Sequence, residues 1–116
     1  MVVLGASPNP MKFSHKVVKS LLHKHYDVVA VGYREGSIEN IKILTGKPEI
    51  KNVHTILLYI GTQHQAEYYD YILSLHPKRI IFNPGTENEE LKNLALENNI
   101  EVKNDCALLM LSSDFL

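Results

Sequence analysis

Four short runs in this chain are apolar along almost their whole length: MVVL, DVVAVGY, HTILLYIG and RIIFNPG, with a shorter IEVKN closing the series. A strand with one wet face alternates apolar and polar residues. A strand that is apolar throughout must be covered on both faces, as in a parallel sheet packed between helices. Helical patterns separate these runs. From Lys12 to His25 the residues Phe13, Val17, Val18, Leu21 and Leu22 fall at spacings of one helix face. QHQAEYYDYILSLH places Ala66, Tyr69, Ile72, Leu73 and Leu75 on one side of a second helix. ENEELKNLALENN carries acids at its start and asparagines at its end, an order that suits the helix dipole and a C-terminal cap. CALLML reads as a last short helix or turn. The region from Arg34 to Asn52 is less regular, with IKIL as a small edge strand. The alternation predicts an α/β fold: a doubly wound parallel sheet with helices on both faces.

The totals narrow the function. At 116 residues the chain makes one domain, residues 1–116, with enough apolar content (45%) for a single core. A formal net charge of -1 gives no electrostatic argument for nucleic acid or for an anionic membrane surface. A single cysteine excludes an internal disulfide. With no signal peptide and no run of membrane-spanning length, the expected location is cytoplasmic.

In open parallel sheets, ligands bind beyond the carboxyl ends of the strands, where the strand order reverses. The candidate segments are therefore GASPNP, GYREG, GTQ, NPGTEN and NDC. In the first, Gly5 permits close backbone approach, Ser7 adds a hydroxyl, and a helix N-terminus behind them favours phosphate. A glycine after a strand is also an ordinary turn residue. The G-x-G-x-x-G fingerprint is missing after Gly5, which argues against a nicotinamide dinucleotide. Arg34, next to Glu35, suits a sugar phosphate better than a free ribose diol, or is a simple exposed loop arginine. Thr86 and Glu89 have the spacing of a T-x-x-E capping box.

Other chemistries lack their residue patterns. There is no P-loop lysine, no G-x-S-x-G elbow, no H-E-x-x-H and no CxxC, so no metal is expected. His23 and His25, near a helix end, are read as partners of its C-terminal dipole. Cys106 sits after Asp105 at the end of the last strand. It is either a small buried hydrophobe or a rim thiol, and no histidine partner activates it.

Taken together, the G-A-S-x-N-P start, the N-P-G turn followed by N-E-E and the terminal D-C resemble the small stand-alone CoA-binding domain proteins. These are similar to the N-terminal Rossmann-like domain of the succinyl-CoA synthetase α subunit. The resemblance implies a Rossmann-like five-stranded parallel sheet of order 3-2-1-4-5 and a ligand that is coenzyme A or an acyl-CoA. It implies that Gly5, Ala6 and Ser7 approach the CoA phosphates and that Lys12, Phe13 and Ser14 complete that segment. After the second strand the family reads V-N-P, whereas this chain has Val31, Gly32, Tyr33 and Arg34. Val31, Tyr33 and Arg34 are carried as binding residues, with Arg34 near a basic position for the 3′-phosphate. Ile60, Gly61 and Thr62 match the next rim segment, and Asn83, Pro84 and Gly85 match the turn that closes the site. The synthetase's catalytic histidine belongs to a second domain outside the match. The expectation is a binding or regulatory module rather than an enzyme. The alternatives are a nicotinamide-dependent oxidoreductase, a thiol enzyme using Cys106, or a homodimer or protein partner engaged through the sheet edge or the ALLML tail.

Overall fold

The computed structural model describes residues 1–114 and 116. Seven strands form one sheet: β1 (Val2–Leu4), β2 (Val29–Val31), β3 (Gly36–Ile38), β4 (Ile41–Leu44), β5 (Thr55–Leu58), β6 (Arg79–Phe82) and β7 (Glu101–Asn104). Four α-helices join them: α1 (Phe13–His23), α2 (Tyr69–Ser74), α3 (Glu89–Glu97) and α4 (Ala107–Ser112). The strand order is β3-β4-β2-β1-β5-β6-β7. All neighbours run parallel except β3, which is antiparallel to β4 at the edge.

The doubly wound α/β class stands, and the five-strand count does not. The IKIL segment is a full member of the sheet, paired in parallel with β2, and GSI folds back on it as a seventh strand. Counted with IKIL as third, the parallel strands follow 3-2-1-4-5 and β7 is the sixth. The five runs apolar enough to stand out come in the order 2-1-3-4-5. The IKIL pair escapes a search for continuous apolar runs because only Ile38 and Ile43 are buried there, while Lys42 and Leu44 face out.

The strands show why the runs had to be apolar throughout. Val2, Leu4, Ile56, Leu58, Ile80 and Phe82 point to one face of the sheet, into a core closed by α2 and α3. Val3, Leu57 and Ile81 point to the other, into a core closed by α1 and α4. Alternate residues serve alternate faces, and both faces are dry. On α1, Val17, Val18 and Leu21 are fully buried. Each contributes about 1.5–3 kcal/mol relative to exposure. Phe13 leaves that stripe and is 68% exposed at the rim.

Two local expectations are corrected. The stretch QHQAEYYDYILSLH, residues 63–76, is not one amphipathic helix. It runs through two 3₁₀ turns, Thr62–His64 and Ala66–Tyr68, before the short α2. Ala66 is exposed and Gln65 is the buried residue. Its Nε2 donates to the carbonyls of Ile60 and Thr86 (both 2.8 Å), and its Oε1 accepts from Asn88. Those tertiary bonds hold the chain out of a regular helix. Thr86 does not cap α3 either. Its hydroxyl donates to the Asn83 carbonyl at 2.7 Å, and Asn88 is the N-cap, accepting from the Leu91 amide. Asn98 is the C-cap of α3, and Asn99 follows with a φ of 61°.

Candidate functional site

The strand order reverses between β2 and β5 around β1, so the crevice of the fold lies above the carboxyl ends of β1 and β5. Two adjoining clefts occupy that place. One, of about 410 Å³, is lined by Gly5, Ala6, Ser7, Pro8, Asn9, Lys12, Tyr33 and Arg34. The other, of about 300 Å³, is lined by Phe13, Ser14, Tyr59, Ile60, Gly61 and His64, and shares Gly5, Ser7, Lys12 and Tyr33 with the first. A larger concavity, about 690 Å³, lies at the opposite end of the sheet, near the start of β5 and the end of α2, away from the strand-end loops.

The first loop is held close to the sheet from three sides. Gly5 has a φ of 100°, and a Cβ there would come within 2.8 Å of the Tyr59 backbone. A side chain at Gly32 would overlap the Ala6 carbonyl oxygen, and one at Gly36 would meet Pro8 at 2.8 Å. The close approach that a multi-glycine loop achieves by its own residues is achieved here by one glycine in the loop and two in the segment beneath it. Gly32 and Gly36 are the two ends of the candidate segment GYREG, although neither is singled out there as a site residue. Nothing in a single sequence separates them from turn glycines.

Hydrogen bonds within the loop leave only some of its amides free to donate. The amides of Gly5 and Ala6 both donate to the Val31 carbonyl, at 2.8 and 2.9 Å, so Val31 is a scaffold residue and these two amides are committed. The Asn9 amide donates to Ser7 Oγ, the Met11 amide to Asn9 Oδ1 and the Lys12 amide to the Asn9 carbonyl. Pro8 and Pro10 have no N–H. Among the described residues, no acceptor engages the amides of Ser7, Phe13 and Ser14. Lys12 is the N-cap residue of α1 and places no side-chain acceptor on the helix. Unpartnered amides at a helix start, with the positive end of its dipole, favour an anion. Lys12 and Arg34, both exposed, add positive charge at the same cleft.

Aromatic rings border the opening. Tyr33 is 59% exposed and meets Tyr68 edge-on, with ring centroids 6.2 Å apart. Burial first, and the neighbouring Tyr33 phenol second, push the Tyr68 phenol up to about 12. Lys47 Nζ lies 5.5 Å from the Tyr68 ring centroid. Burial also pushes the Tyr59 phenol well above the usual tyrosine range, and the neighbouring Cys106 thiol adds to the effect. Both phenols stay neutral at physiological pH.

The remaining expected residues divide by role. Ile60 and Gly61 line the second cleft, and Thr62 stands exposed beside them. Asn83 is buried and acts as a brace. Its Nδ2 donates to the Leu58 carbonyl and its Oδ1 accepts from the Ala107 amide, tying β5, β6 and α4 together. Pro84 and Gly85 follow it on the exposed turn and line neither cleft. Cys106 is half-buried at the N-cap position of α4, with its amide donating to Asp105 Oδ1. In the ALLML tail Ala107, Met110 and Leu111 are buried, leaving Leu109 as the exposed apolar residue. His23 pairs with Glu39 at 2.8 Å, and His25 leaves the helix with a φ of 65°. Among the described residues no group of three or more His, Cys, Asp or Glu could hold a metal, and no helix is long and apolar enough to cross a membrane.

A family model described as a CoA binding domain matches residues 1–112. The chain superposes on the crystal structure of an uncharacterised protein with a TM-score of 0.96 at 41% identity, covering 99% of this chain and 95% of that one. It also matches a protein from Thermus thermophilus (TM-score 0.86, 19% identity, 99% and 88% covered). A conserved hypothetical protein from Pyrococcus furiosus is similar as well (TM-score 0.79, 23% identity, 97% and 96% covered). The last two show the fold alone. No curated protein matches this sequence.

Proposed function

This chain belongs to the CoA binding domain family, and on that premise we propose that it binds coenzyme A or an acyl-CoA at the carboxyl-end rim of its sheet. One observation carries the reading: the unpartnered amides of Ser7, Phe13 and Ser14 border the two clefts at the point where the strand order reverses, beside Lys12 and Arg34. The phosphates sit against those amides, the Ser7 hydroxyl and Lys12. Arg34 takes the 3′-phosphate. The pantetheine arm follows the second cleft past Phe13, Tyr59, Ile60 and Gly61, with Thr62 beside it, while Asn83 braces the strands from within. Tyr33, between the clefts, presents a ring to the nucleotide.

The chain acts as a single non-catalytic binding or regulatory module. No part of this reading requires a reaction, and Cys106 with its committed neighbour Asp105 is assigned none. A cytoplasmic setting goes with its one free thiol.

Calorimetric titration with CoA, dephospho-CoA and NAD tests the reading. Saturable binding of CoA, weaker binding of dephospho-CoA and none of NAD is the expected order. Arg34→Ala should weaken CoA by about 1.5–3 kcal/mol and leave dephospho-CoA unchanged, because a charge-assisted contact is lost only where the 3′-phosphate is present. Saturation by NAD without CoA uptake would overturn the assignment.

A further inference from the structure

The donors at the rim belong to two separate pieces of chain. Ser7 lies on the loop after β1, while Phe13 and Ser14 open α1. An anion held between them needs the two pieces at a fixed distance. A buried side chain joins them. His15, 6% exposed on the first turn of α1, has Nδ1 at 2.9 Å from the Ser7 carbonyl oxygen. A carbonyl can only accept, so Nδ1 carries the hydrogen and donates it.

The chemistry of the loop makes this bond matter. Pro8 has no N–H, so the Ser7–Pro8 peptide presents an acceptor and no donor. If that carbonyl turned toward the cleft it would place negative partial charge beside a bound phosphate. Tied to His15, it points into the protein, and the loop is fixed to the helix start. We propose that His15 is the positioning residue of the anion site: through the Ser7 carbonyl it sets the spacing between the loop donor and the helix donors. This rests on the CoA reading above, because it assigns His15 to that same site.

Two variants separate positioning from bulk packing. His15→Asn keeps an N–H donor near the position of Nδ1, whereas His15→Gln moves its amide one bond further out. Both stay polar in the same partly buried place. CoA affinity by calorimetry should remain near the wild-type value in H15N and fall about tenfold in H15Q, the loss expected for one hydrogen bond, at similar melting temperatures. Amide exchange of Asn9 and Met11, measured without ligand, should be faster in H15Q than in H15N. Equal affinities and equal loop exchange in the two variants would overturn the proposal. If the wild-type protein takes up no CoA, the CoA reading falls, and the exchange difference alone decides whether His15 holds the loop.

Discussion

A methyl group at position 32 would overlap the Ala6 carbonyl oxygen, and that oxygen belongs to backbone locked by two amides donating to Val31. Neither side can give way cheaply. Gly32→Ala should therefore cost about 1–3 kcal/mol, the usual range for forcing an extra carbon into a packed place. It should also lift the loop that carries Ser7. Urea unfolding measures the first effect, and the amide shifts of residues 5–9 report the second. A neutral substitution would mean that the loop rides above the sheet rather than on it. This residue also shows where sequence reading stops. Gly5 and Gly32 are both legible as turn glycines, because each follows an apolar run; what the sequence does not show is why position 32 admits no side chain. That reason is an atom 26 positions away in the chain, the Ala6 carbonyl oxygen. The same holds for Gln65, whose polar side chain argues for exposure until the carbonyls of Ile60 and Thr86 and the Asn88 amide are seen to surround it.

At the scale of elements, the start of α3 is the clearest case of two local rules competing. Thr86 and Glu89 have capping-box spacing, and Asn88 is also a good cap. The tertiary structure decides between them. Thr86 is drawn into the turn by its bond to Asn83, and Asn88 is left to cap the helix while bonding Gln65 and Tyr69. Asn88→Ala should lower stability by about 1 kcal/mol or more, since a cap and two side-chain bonds go together. Glu89→Ala, at an exposed position, should stay within about 0.5 kcal/mol of wild type. Thermal unfolding of the two variants checks the ordering, and a larger loss for Glu89 would restore the capping box. The strands were the legible elements, because burial on both faces writes itself as an unbroken apolar run. β3 and β4 were the poorly legible ones, because only Ile38 and Ile43 are buried there and exposed residues between them break any continuous apolar run.

At the scale of the whole molecule, the neutral phenols make stability depend on pH at the alkaline end. In the folded protein burial raises the Tyr68 phenol to about 12, from an ordinary value of 10.0. Tyr59 is raised as well. Groups whose folded pKa is raised stabilise fully below their unfolded value. That contribution is lost as pH rises from the unfolded value through the folded one. Urea midpoints should be flat up to about pH 9 and fall above about pH 10, the range where an unfolded tyrosine ionises. Tyr68→Phe should make the fall shallower, and an unchanged slope would place the effect elsewhere. The layered architecture was readable from the alternation of strands and helices. The site was readable only as a rim, since which amides remain free depends on bonds made between distant segments. The central proposal is that these free amides, with Lys12 and Arg34, hold a CoA. Native mass spectrometry of the protein mixed with equal amounts of CoA and NAD tests this most directly. A single adduct of CoA in one-to-one ratio is the predicted result; an NAD adduct, or the bare chain alone, would contradict it.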